Sequence, residues 1–458
     1  MHCSQYGSAA ARATRTRSLG RQRLSDGLGL IGMCHTGSRA RRQRGTVVDN
    51  YLIVSSDCHA GPPADQYREY MDPQHRDRYD EFLAGLAAMS DSRAVQVNNA
   101  QQMFREKFLA KTGDGGNRAS WDPPLREREL DGDGIAGEVI FPDADVLGIG
   151  GVTASPFGTG LAASGQDDPE LAMAGARAHN RWLADLCAAS PDRRGGVATV
   201  PVIHDVAAGV AEIERAHDSG VWAGVMIPTQ WAPHASYNDP VYDPVWATCQ
   251  DRKLAVTVHS GGSPRDITVG PGTLPIYSSE AWFFAARPLW SLIWGGVFER
   301  FPDLTFAVTE DGAWWVPEML SRMDEQWEGF HATLKFGDTF RDALPEKPSA
   351  YFERNCFVAT GMNDHEMARR HEIGVDQIAW GNDFPHPEGT WPHTSDWLRI
   401  KFHDVPETET RKMLGTNALR CYRNFDVDQL AAVAARVGPS PAEIHEQPVP
   451  PNPDLALT

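Results

Sequence analysis

Acidic and histidine side chains stand at the carboxyl ends of several short apolar runs in this 458-residue chain. Each run has the length and composition of a buried β-strand. The segments are Asp57-Cys58-His59, Val258-His259-Ser260-Gly261-Gly262, Thr309-Glu310-Asp311-Gly312 and Gly381-Asn382-Asp383-Phe384-Pro385-His386. In a (β/α)8 barrel the carboxyl ends of all strands form one rim, and active sites are built there. Distant residues can then meet around one ion, so the pattern predicts a metal-dependent enzyme.

Strand-like runs alternate with helical patterns between residues 51 and 425. The predicted strands cover residues 51–56, 138–141, 196–201, 222–227, 254–259, 304–309, 356–360 and 377–380. Helical periodicity between them covers residues 206–219, 241–252, 280–300 and 313–327. Such alternation indicates a parallel sheet, and eight units favour closure. The predicted fold class is α/β, a (β/α)8 TIM barrel, with long helical insertions at 60–137 and 143–195 over the C-terminal mouth.

The two ends of the chain differ from this pattern. Residues 1–48 contain nine arginines, no lysine and one acid, Asp26. They predict a disordered basic arm, a transit-like peptide or sequence upstream of a later start. The barrel is assigned to residues 49–425. Residues 426–458 are expected to form a C-terminal helix over 427–437 and a Pro-rich tail, extended and packed on a neighbouring subunit.

Charge and cysteine usage restrict the partners and the compartment. A net charge of −18 disfavours nucleic acid or an anionic membrane as a partner. No stretch approaches the roughly 20 apolar residues of a membrane span. Seven scattered cysteines without a Cys-x-x-Cys motif favour a reducing cytoplasm. We therefore expect a cytoplasmic protein with a small-molecule substrate, no nucleic-acid or membrane partner, and a homo-oligomeric state, dimer or tetramer.

Four residues form the predicted metal site. Asp57 and His59 share one face of a strand, His259 closes a second strand and Asp383 follows a third. Two histidines and two carboxylates suit one divalent ion with an open coordination position, Zn²⁺ first and Mn²⁺ or Fe²⁺ as alternatives. No nucleotide cofactor is predicted, because neither a phosphate-binding loop nor a dinucleotide fingerprint is present.

The chain resembles the amidohydrolase superfamily, and within it the amidohydrolase-2 branch, which includes aminocarboxymuconate semialdehyde decarboxylase and resorcylate decarboxylases. The resemblance covers residues 51–425. Its motifs are SSDCHA at 55–60, GEVIFP at 137–142, DPVYDPVW at 239–246, FPDL at 301–304, GNDFPH at 381–386 and NA at 417–418. It implies metal ligands at Asp57, His59, His259 and Asp383.

Three positions depart from the family pattern. Asp57 stands where the family often has histidine. The fourth strand ends at 225–228 without a lysine, so the bridging carbamylated lysine of two-metal relatives is absent and one ion is expected. Glu310 follows the sixth strand in place of a histidine that acts as acid or base. Glu310 takes that role, supports the metal ligands or does neither.

Further residues are candidates for catalysis or substrate binding. His386 lies near Asp383 and suits a general acid or base, although a loop histidine held by backbone contacts is the alternative. Arg287 can pair with a substrate carboxylate, or lie in a helix salt bridge. Trp314 and Trp391 are candidate pocket walls or packing residues.

Two reactions suit the same metal ligands. The leading prediction is a metal-dependent hydrolase of a small aromatic or carboxylate-bearing molecule, using metal-activated water with Asp383, His386 and Glu310 as catalytic residues. The alternative is a non-oxidative decarboxylase, or carboxy-lyase, of the aminocarboxymuconate or resorcylate type. Hydrolysis is placed first because the sixth-strand histidine expected of the decarboxylases is missing. A ligand-binding barrel without catalysis is a third alternative, and it predicts a missing ligand.

Overall fold

The computed structural model describes residues 50–94, 118–143, 155–161, 167–261, 272–333, 337–386 and 388–448. All of them belong to one compact unit, Val48–Thr458. The predicted basic arm at 1–48 and parts of both predicted insertions lie outside the described residues.

Eight strands form one sheet in which each strand pairs in parallel with the next along the chain. The strands are β1 Val54–His59, β2 Gly137–Phe141, β3 Arg194–Thr199, β4 Gly224–Met226, β5 Ala255–His259, β6 Phe306–Thr309, β7 Cys356–Thr360 and β8 Ile378–Trp380. Helices separate them, so the predicted (β/α)8 TIM barrel is confirmed.

The segment after β8 brings the sheet nearly to closure against β1. The amide of Asp383 donates to the carbonyl of Asp57 at 2.9 Å, and the amide of His59 donates to the carbonyl of Phe384 at 2.7 Å. The hydroxyl of Ser56 donates to the carbonyls of Ala379 and Trp380 at 3.0 and 2.9 Å. The seam therefore holds predicted metal ligands from the two ends of the barrel sequence side by side.

Helices pack around the barrel and over its ends. The first nine in chain order are α1 Tyr67–Tyr70, α2 Arg76–Ala94, α3 Pro123–Gly132, α4 Pro169–Ala188, α5 Val206–Asp218, α6 Asp243–Asp251, α7 Thr273–Trp294, α8 Val297–Arg300 and α9 Val316–Thr333. The remainder are α10 Gly337–Ala343, α11 Pro348–Asn355, α12 Asp364–Ala368, α13 Arg370–Ile373, α14 Thr394–Phe402, α15 Glu407–Arg411, α16 Asn417–Cys421, α17 Val427–Val437 and α18 Pro441–His445. No helix among the described residues is long and apolar enough to cross a membrane.

Local sequence signals explain where helices start and stop. The carboxylate of Asp205 caps α5 by accepting from the amide of Ala208 at 2.9 Å. Gly220, two residues beyond α5, has φ +102°, a conformation that glycine adopts without a steric penalty. The helical period and these two caps together place α5 close to its predicted range.

The first strand, the third strand and the tail differ from their predictions. The third strand is Arg194–Thr199 rather than 196–201. The first strand runs from Val54 to His59 rather than over 51–56, because its register with β2 begins at the Val54–Gly137 pair. Asp57 and His59 therefore lie within the strand. The Pro-rich end was expected to be extended, yet Ser440 caps α18 and Ile444 is buried. The prediction of an extended tail is wrong for 441–445, which packs on its own chain.

The apolar core lies on both sides of the barrel wall. One buried cluster fills the space between strands and helices, with Trp246 and Phe298 among its members. A second contains inward-facing strand residues such as Phe141 and Met226. The polar residues of the candidate site lie at the carboxyl ends of the same strands.

Candidate metal centre

The barrel brings the four predicted ligands into one group at its C-terminal rim. The Nε2 atom of His59 lies 3.4 Å from Oδ1 of Asp57 and 3.2 Å from Oδ1 of Asp383. The Nε2 atom of His259 lies 3.2 Å from Oδ1 of Asp57. All four side chains are buried or nearly so. We call these residues, together with Glu310 and His386, the strand-end cluster.

Backbone carbonyls fix the orientation of all three histidine rings. The carbonyl of Pro142 lies 2.7 Å from Nδ1 of His59, and that of Ser260 lies 3.0 Å from Nδ1 of His259. The carbonyl of Asp143 lies 2.9 Å from Nε2 of His386. A carbonyl only accepts, so each of these ring nitrogens carries a proton. The opposite nitrogen of each ring therefore faces the carboxylates.

Three of the inward-facing atoms lack hydrogen-bond partners. His59 Nε2, His386 Nδ1 and Asp383 Oδ1 are buried without one. Nitrogen lone pairs that face carboxylate oxygens at about 3 Å require a cation or a proton between them. The donor set of imidazole nitrogens and carboxylate oxygens is one that Zn²⁺, Mn²⁺ and Fe²⁺ accept. The residues present therefore fit a divalent metal ion.

Glu310 and His386 both contact predicted metal ligands. His386 Nδ1 lies 3.0 Å from Asp383 Oδ1, and its ring stacks on that of His59 with centroids 3.9 Å apart. Glu310 Oε2 accepts from the Ser260 hydroxyl at 2.8 Å and lies 3.5 Å from His259 Nδ1. Ligand atoms of Asp57, His59, His259 and Glu310 all lie within 4.8 Å of one another. Both residues therefore lie beside the predicted ion site.

The charges of the protein itself distribute protons unevenly in the cluster. Burial together with the negative charge of Asp383 raises the pKa of Glu310 to about 8. Burial and the neighbouring His59 oppose protonation of His386, but the carboxylate of Asp383 raises its pKa to about 9. Burial alone would raise the pKa of Asp57, yet His259 and His59 hold it well below its usual range. Asp57 is therefore an anion, whereas Glu310 and His386 hold protons near neutral pH.

Backbone strain is concentrated at the rim. Asp143, Glu310, Met362 and Asp383 have φ angles of 65°, 62°, 61° and 54°, and they follow β2, β6, β7 and β8. Non-glycine residues rarely adopt this left-handed conformation, which is costly unless the surrounding structure imposes it. This conformation therefore recurs at four strand ends, at the edge of the barrel that carries the predicted site.

Asp143 links the predicted second insertion to the histidines. Its carboxylate accepts from the Ser155 hydroxyl and from the amide of Leu161 at 2.6 Å. Its backbone carbonyl is the acceptor for His386, and the preceding carbonyl, that of Pro142, is the acceptor for His59. One described stretch of the insertion, 155–161, is thus fastened to the peptide that orients two imidazoles.

A cavity of about 330 Å³ opens beside the strand-end cluster. The described residues that line it are Asp57, Glu310, Gly312, Thr360, Gly361, Met362, Asn363, Glu366, Gly381, Asn382, Asp383, Glu388, Gly389, Thr390, Trp397 and Lys401. Its volume matches that of a site for a small molecule.

The three predicted substrate-binding residues lie outside this lining set. The guanidinium of Arg287 stacks on Trp231 at 4.2 Å. Trp314 is 43% exposed and contacts Trp282. Trp391 is buried against Phe384, with ring centroids 5.1 Å apart. Their roles in substrate binding stay predictions.

Sequence reasoning missed Lys401, Trp397 and Glu366 as lining residues. The one local signal was the pair Asn363 and Glu366, which form a capping box at the start of α12. Such a box predicts a helix start but not that the helix borders a cavity. Lys401 and Trp397 lie on α14, whose distance from the ion site depends on the tertiary fold.

Family comparison decides the assignment. The amidohydrolase family model matches residues 121–423, which is well over half of the chain. The chain belongs to the amidohydrolase family. The resemblance inferred from the sequence motifs is thus confirmed, and the protein is an enzyme of the amidohydrolase superfamily.

Three relatives illustrate the likeness. Gamma-resorcylate decarboxylase from Rhizobium sp. (strain MTP-10005) is 25% identical over 270 residues, 56% of this chain and 78% of the relative. 2-Amino-3-carboxymuconate-6-semialdehyde decarboxylase from Dictyostelium discoideum is 25% identical over 327 residues, 70% of this chain and 80% of the relative. The solved structure of 5-carboxyvanillate decarboxylase from Novosphingobium aromaticivorans DSM 12444, complexed with manganese and 4-hydroxy-3-methoxy-5-nitrobenzoic acid, has TM-score 0.54 and 17% identity, covering 81% of this chain and 96% of that one.

Proposed function

We propose that this amidohydrolase is a metal-dependent, non-oxidative decarboxylase of small aromatic or unsaturated acids. The curated relatives described above are named as decarboxylases, which favours this activity over the hydrolysis placed first on sequence grounds. The observation that carries the proposal is the strand-end cluster: inward-facing nitrogens and carboxylates converge beside a cavity of small-molecule size.

Asp57, His59, His259 and Asp383 would hold the ion. A divalent cation bound there would supply Lewis acidity to the carboxylate and a neighbouring oxygen of the substrate. The strand-end positions make this set rigid, because β1, β5 and the closing segment after β8 are held by backbone hydrogen bonds. Because the ligands are rigid, the substrate carboxylate would be held in one orientation beside the proposed proton donors, His386 and Glu310.

His386 is proposed to deliver the proton. Its Nε2–H is engaged by the carbonyl of Asp143, so only Nδ1 exchanges a proton, and Nδ1 faces Asp383. In the reaction the bond between the ring carbon and the carboxyl carbon breaks, and its electron pair stays on the ring carbon. That carbon takes a proton from His386 or Glu310, and CO₂ leaves. No oxidant or reductant is needed.

Manganese is added to zinc as a leading candidate for the ion. The relative from Novosphingobium aromaticivorans was crystallised with manganese. Carboxylate-rich sites suit Mn²⁺, and the two imidazoles also suit Zn²⁺. The choice between them belongs to the same proposal and is tested by reconstitution with each metal.

Product analysis tests the reaction. The protein, loaded with Mn²⁺ or Zn²⁺, is incubated with 2,6-dihydroxybenzoate, 5-carboxyvanillate and 6-methylsalicylate, each labelled with ¹³C in the carboxyl group. Decarboxylation releases ¹³CO₂ and, in D₂O, places deuterium on the ring carbon that lost the carboxyl group. The corresponding esters and amides, incubated in H₂¹⁸O, test hydrolysis, which would place ¹⁸O in the acid that is released.

A matched pair of variants assigns the activity to the cluster. His386→Gln removes the proposed acid, whereas His217→Gln changes a histidine that pairs with Asp218 on the far helix α5. We expect turnover to fall by about 10²-fold or more in the first variant only. Release of ¹⁸O-labelled product without ¹³CO₂ from related esters or amides would replace the proposal by hydrolysis.

A further inference from the structure

Lys401 supplies the positive charge of the cavity. Among the described residues that line it, five are acids, Asp57, Glu310, Glu366, Asp383 and Glu388, and Lys401 is the only cation. The Lys401 side chain is only 17% exposed, although it belongs to a peripheral helix, α14. Its ammonium lies 5.9 Å from the centre of the Trp397 ring, which lines the same cavity.

The counter-ion of Lys401 is a weak one. Lys401 Nζ pairs with Asp364, whose side chain is 90% exposed. Ion pairs to a carboxylate so open to water contribute little, because water solvates the carboxylate almost as well. A buried anion of a ligand would compete successfully for the same ammonium.

One buried acid of the cavity, Glu366, is already engaged elsewhere. The carboxylate of Glu366 accepts from the amides of Ala313, Trp314 and Asn363, at 2.5, 3.2 and 3.1 Å. Three backbone donors satisfy much of its capacity. Glu366 therefore fastens the rim of β6 to α12, and the Lys401 ammonium is left to the cavity and to Asp364.

We propose that Lys401 binds a second anionic group of the substrate, on the opposite side of the ring from the carboxylate held at the ion site. Trp397 and Met362 provide apolar walls for the ring, and both are buried cavity residues. The inference rests on the proposed decarboxylase function and narrows its substrates to aromatic acids that carry a further carboxylate or phenolate.

Paired probes test the anion site in the metal-loaded enzyme. Isophthalate and terephthalate carry a second carboxylate, and their mono-amides carry a neutral group of similar shape at the same position. Whichever of isophthalate and terephthalate binds wild type more tightly should also bind more tightly than its own mono-amide. Lys401→Met should weaken its binding by about tenfold and change the mono-amide by less than about twofold. Asp364→Asn should strengthen dicarboxylate binding, because the competing carboxylate is gone.

Lys412→Met is the matched control, since Lys412 pairs with Asp376 outside the cavity lining. It should leave both probes unchanged. Equal loss of both probes in Lys401→Met would show a structural role and overturn the proposal, as would a wild-type enzyme without preference for either dicarboxylate. The metal content and the decarboxylation of 2,6-dihydroxybenzoate and 5-carboxyvanillate are measured on the same preparations. Their failure would contradict the decarboxylase function itself, whereas their success without a dicarboxylate preference would contradict only the anion site.

Discussion

Two buried charged clusters lie on either side of strand β1 and differ in how their charges are satisfied. Behind the barrel wall, Glu138 accepts from Arg126 at 2.9 and 2.6 Å, and Arg194 lies 3.4 Å from the same carboxylate. The remaining donors of both arginines reach backbone carbonyls, including that of His59. At the mouth, by contrast, the strand-end cluster leaves buried nitrogens and oxygens of His59, Asp383 and His386 unpartnered.

The difference separates structural charge from a binding site. The Glu138 carboxylate is already paired with two guanidiniums, so this cluster needs no further ion, and it joins α3 to the sheet. The facing lone pairs of the strand-end cluster do need a further group, a cation or a proton. Leaving them unpartnered at the rim reduces the stability of the fold. The Arg126 donor to the His59 carbonyl connects the two clusters, so the matched cluster supports the strand that carries the unmatched one.

Removing a rim carboxylate should have the largest effect on turnover. Asp383→Asn keeps the size of the side chain but removes one proposed ligand and the partner of His386. We expect turnover to fall by about 10³-fold or more, measured as labelled CO₂ release. Asp376→Asn, at an exposed ion pair with Lys412, is the control and should retain activity. Near-normal turnover in Asp383→Asn would sink the assignment of the strand-end cluster.

Breaking the matched cluster should instead affect folding. Glu138→Gln leaves Arg126 and Arg194 buried without a counter-charge, so we expect the free energy of unfolding to fall by about 3–5 kcal/mol. Urea unfolding measures it. Glu318→Gln, at an exposed pair with Arg369, should change it by less than about 1 kcal/mol. Equal effects of the two substitutions would refute the contrast between buried and exposed pairs.

The rim cluster should make stability depend on pH in the presence of a chelator. The folded pKa of His386 is about 9 and that of Glu310 about 8, both above their ordinary values. The folded state thus keeps protons that the unfolded chain releases, so this stabilisation is present at low pH and lost as pH rises. Between pH 4.5 and 9, from the ordinary pKa of Glu310 to the folded pKa of His386, we expect a total loss of about 1–3 kcal/mol, which thermal unfolding measures.

Added metal should reverse that trend. Metal ligands must lose their protons before they bind, so the stabilisation by Mn²⁺ or Zn²⁺ should grow as pH rises over the same interval. The same scans with saturating metal measure it. A pH dependence that is identical with chelator and with metal would mean that the cluster titrates independently of any ion.

Loosening the support of the histidines should have the smallest effect. Asp143→Asn leaves either the Ser155 hydroxyl or the Leu161 amide without its acceptor. We expect kcat to fall by about tenfold with little change in KM or metal content, since the carbonyl that orients His386 shifts while the ligands stay. Asp185→Asn, at an exposed hydrogen bond with Tyr70, is the control. A fall in metal content would show instead that Asp143 acts through His59.

Residues whose position follows from strand period and strand ends could be predicted from the sequence. Val54–His59 and Ala255–His259 are short apolar strands, and alternation aims Asp57, His59 and His259 into the barrel. The barrel topology then brings them together whatever their separation in sequence. The fold class and the gathering of the four predicted ligands follow from these local patterns.

Residues whose position depends on how helices and loops pack were not predictable in this way. Lys401 and Arg287 are both cations on helices that follow barrel strands, yet only Lys401 lines the cavity, whereas Arg287 stacks on Trp231. The carbonyls of Pro142 and Asp143 orient two histidines through backbone atoms, which leave no trace in residue identity. The tail was misjudged because proline content hides the capping box of α18.

The metal content of the purified protein is the most direct test of whether the strand-end cluster binds a divalent ion. Elemental analysis and calorimetric titration with Mn²⁺ and Zn²⁺ would compare wild type with His259→Ala and His217→Ala. We expect one divalent ion in wild type and in His217→Ala, and we expect its loss in His259→Ala while the protein stays folded. A wild type that binds neither metal, or a His259→Ala variant that keeps the ion with unchanged affinity, would contradict it.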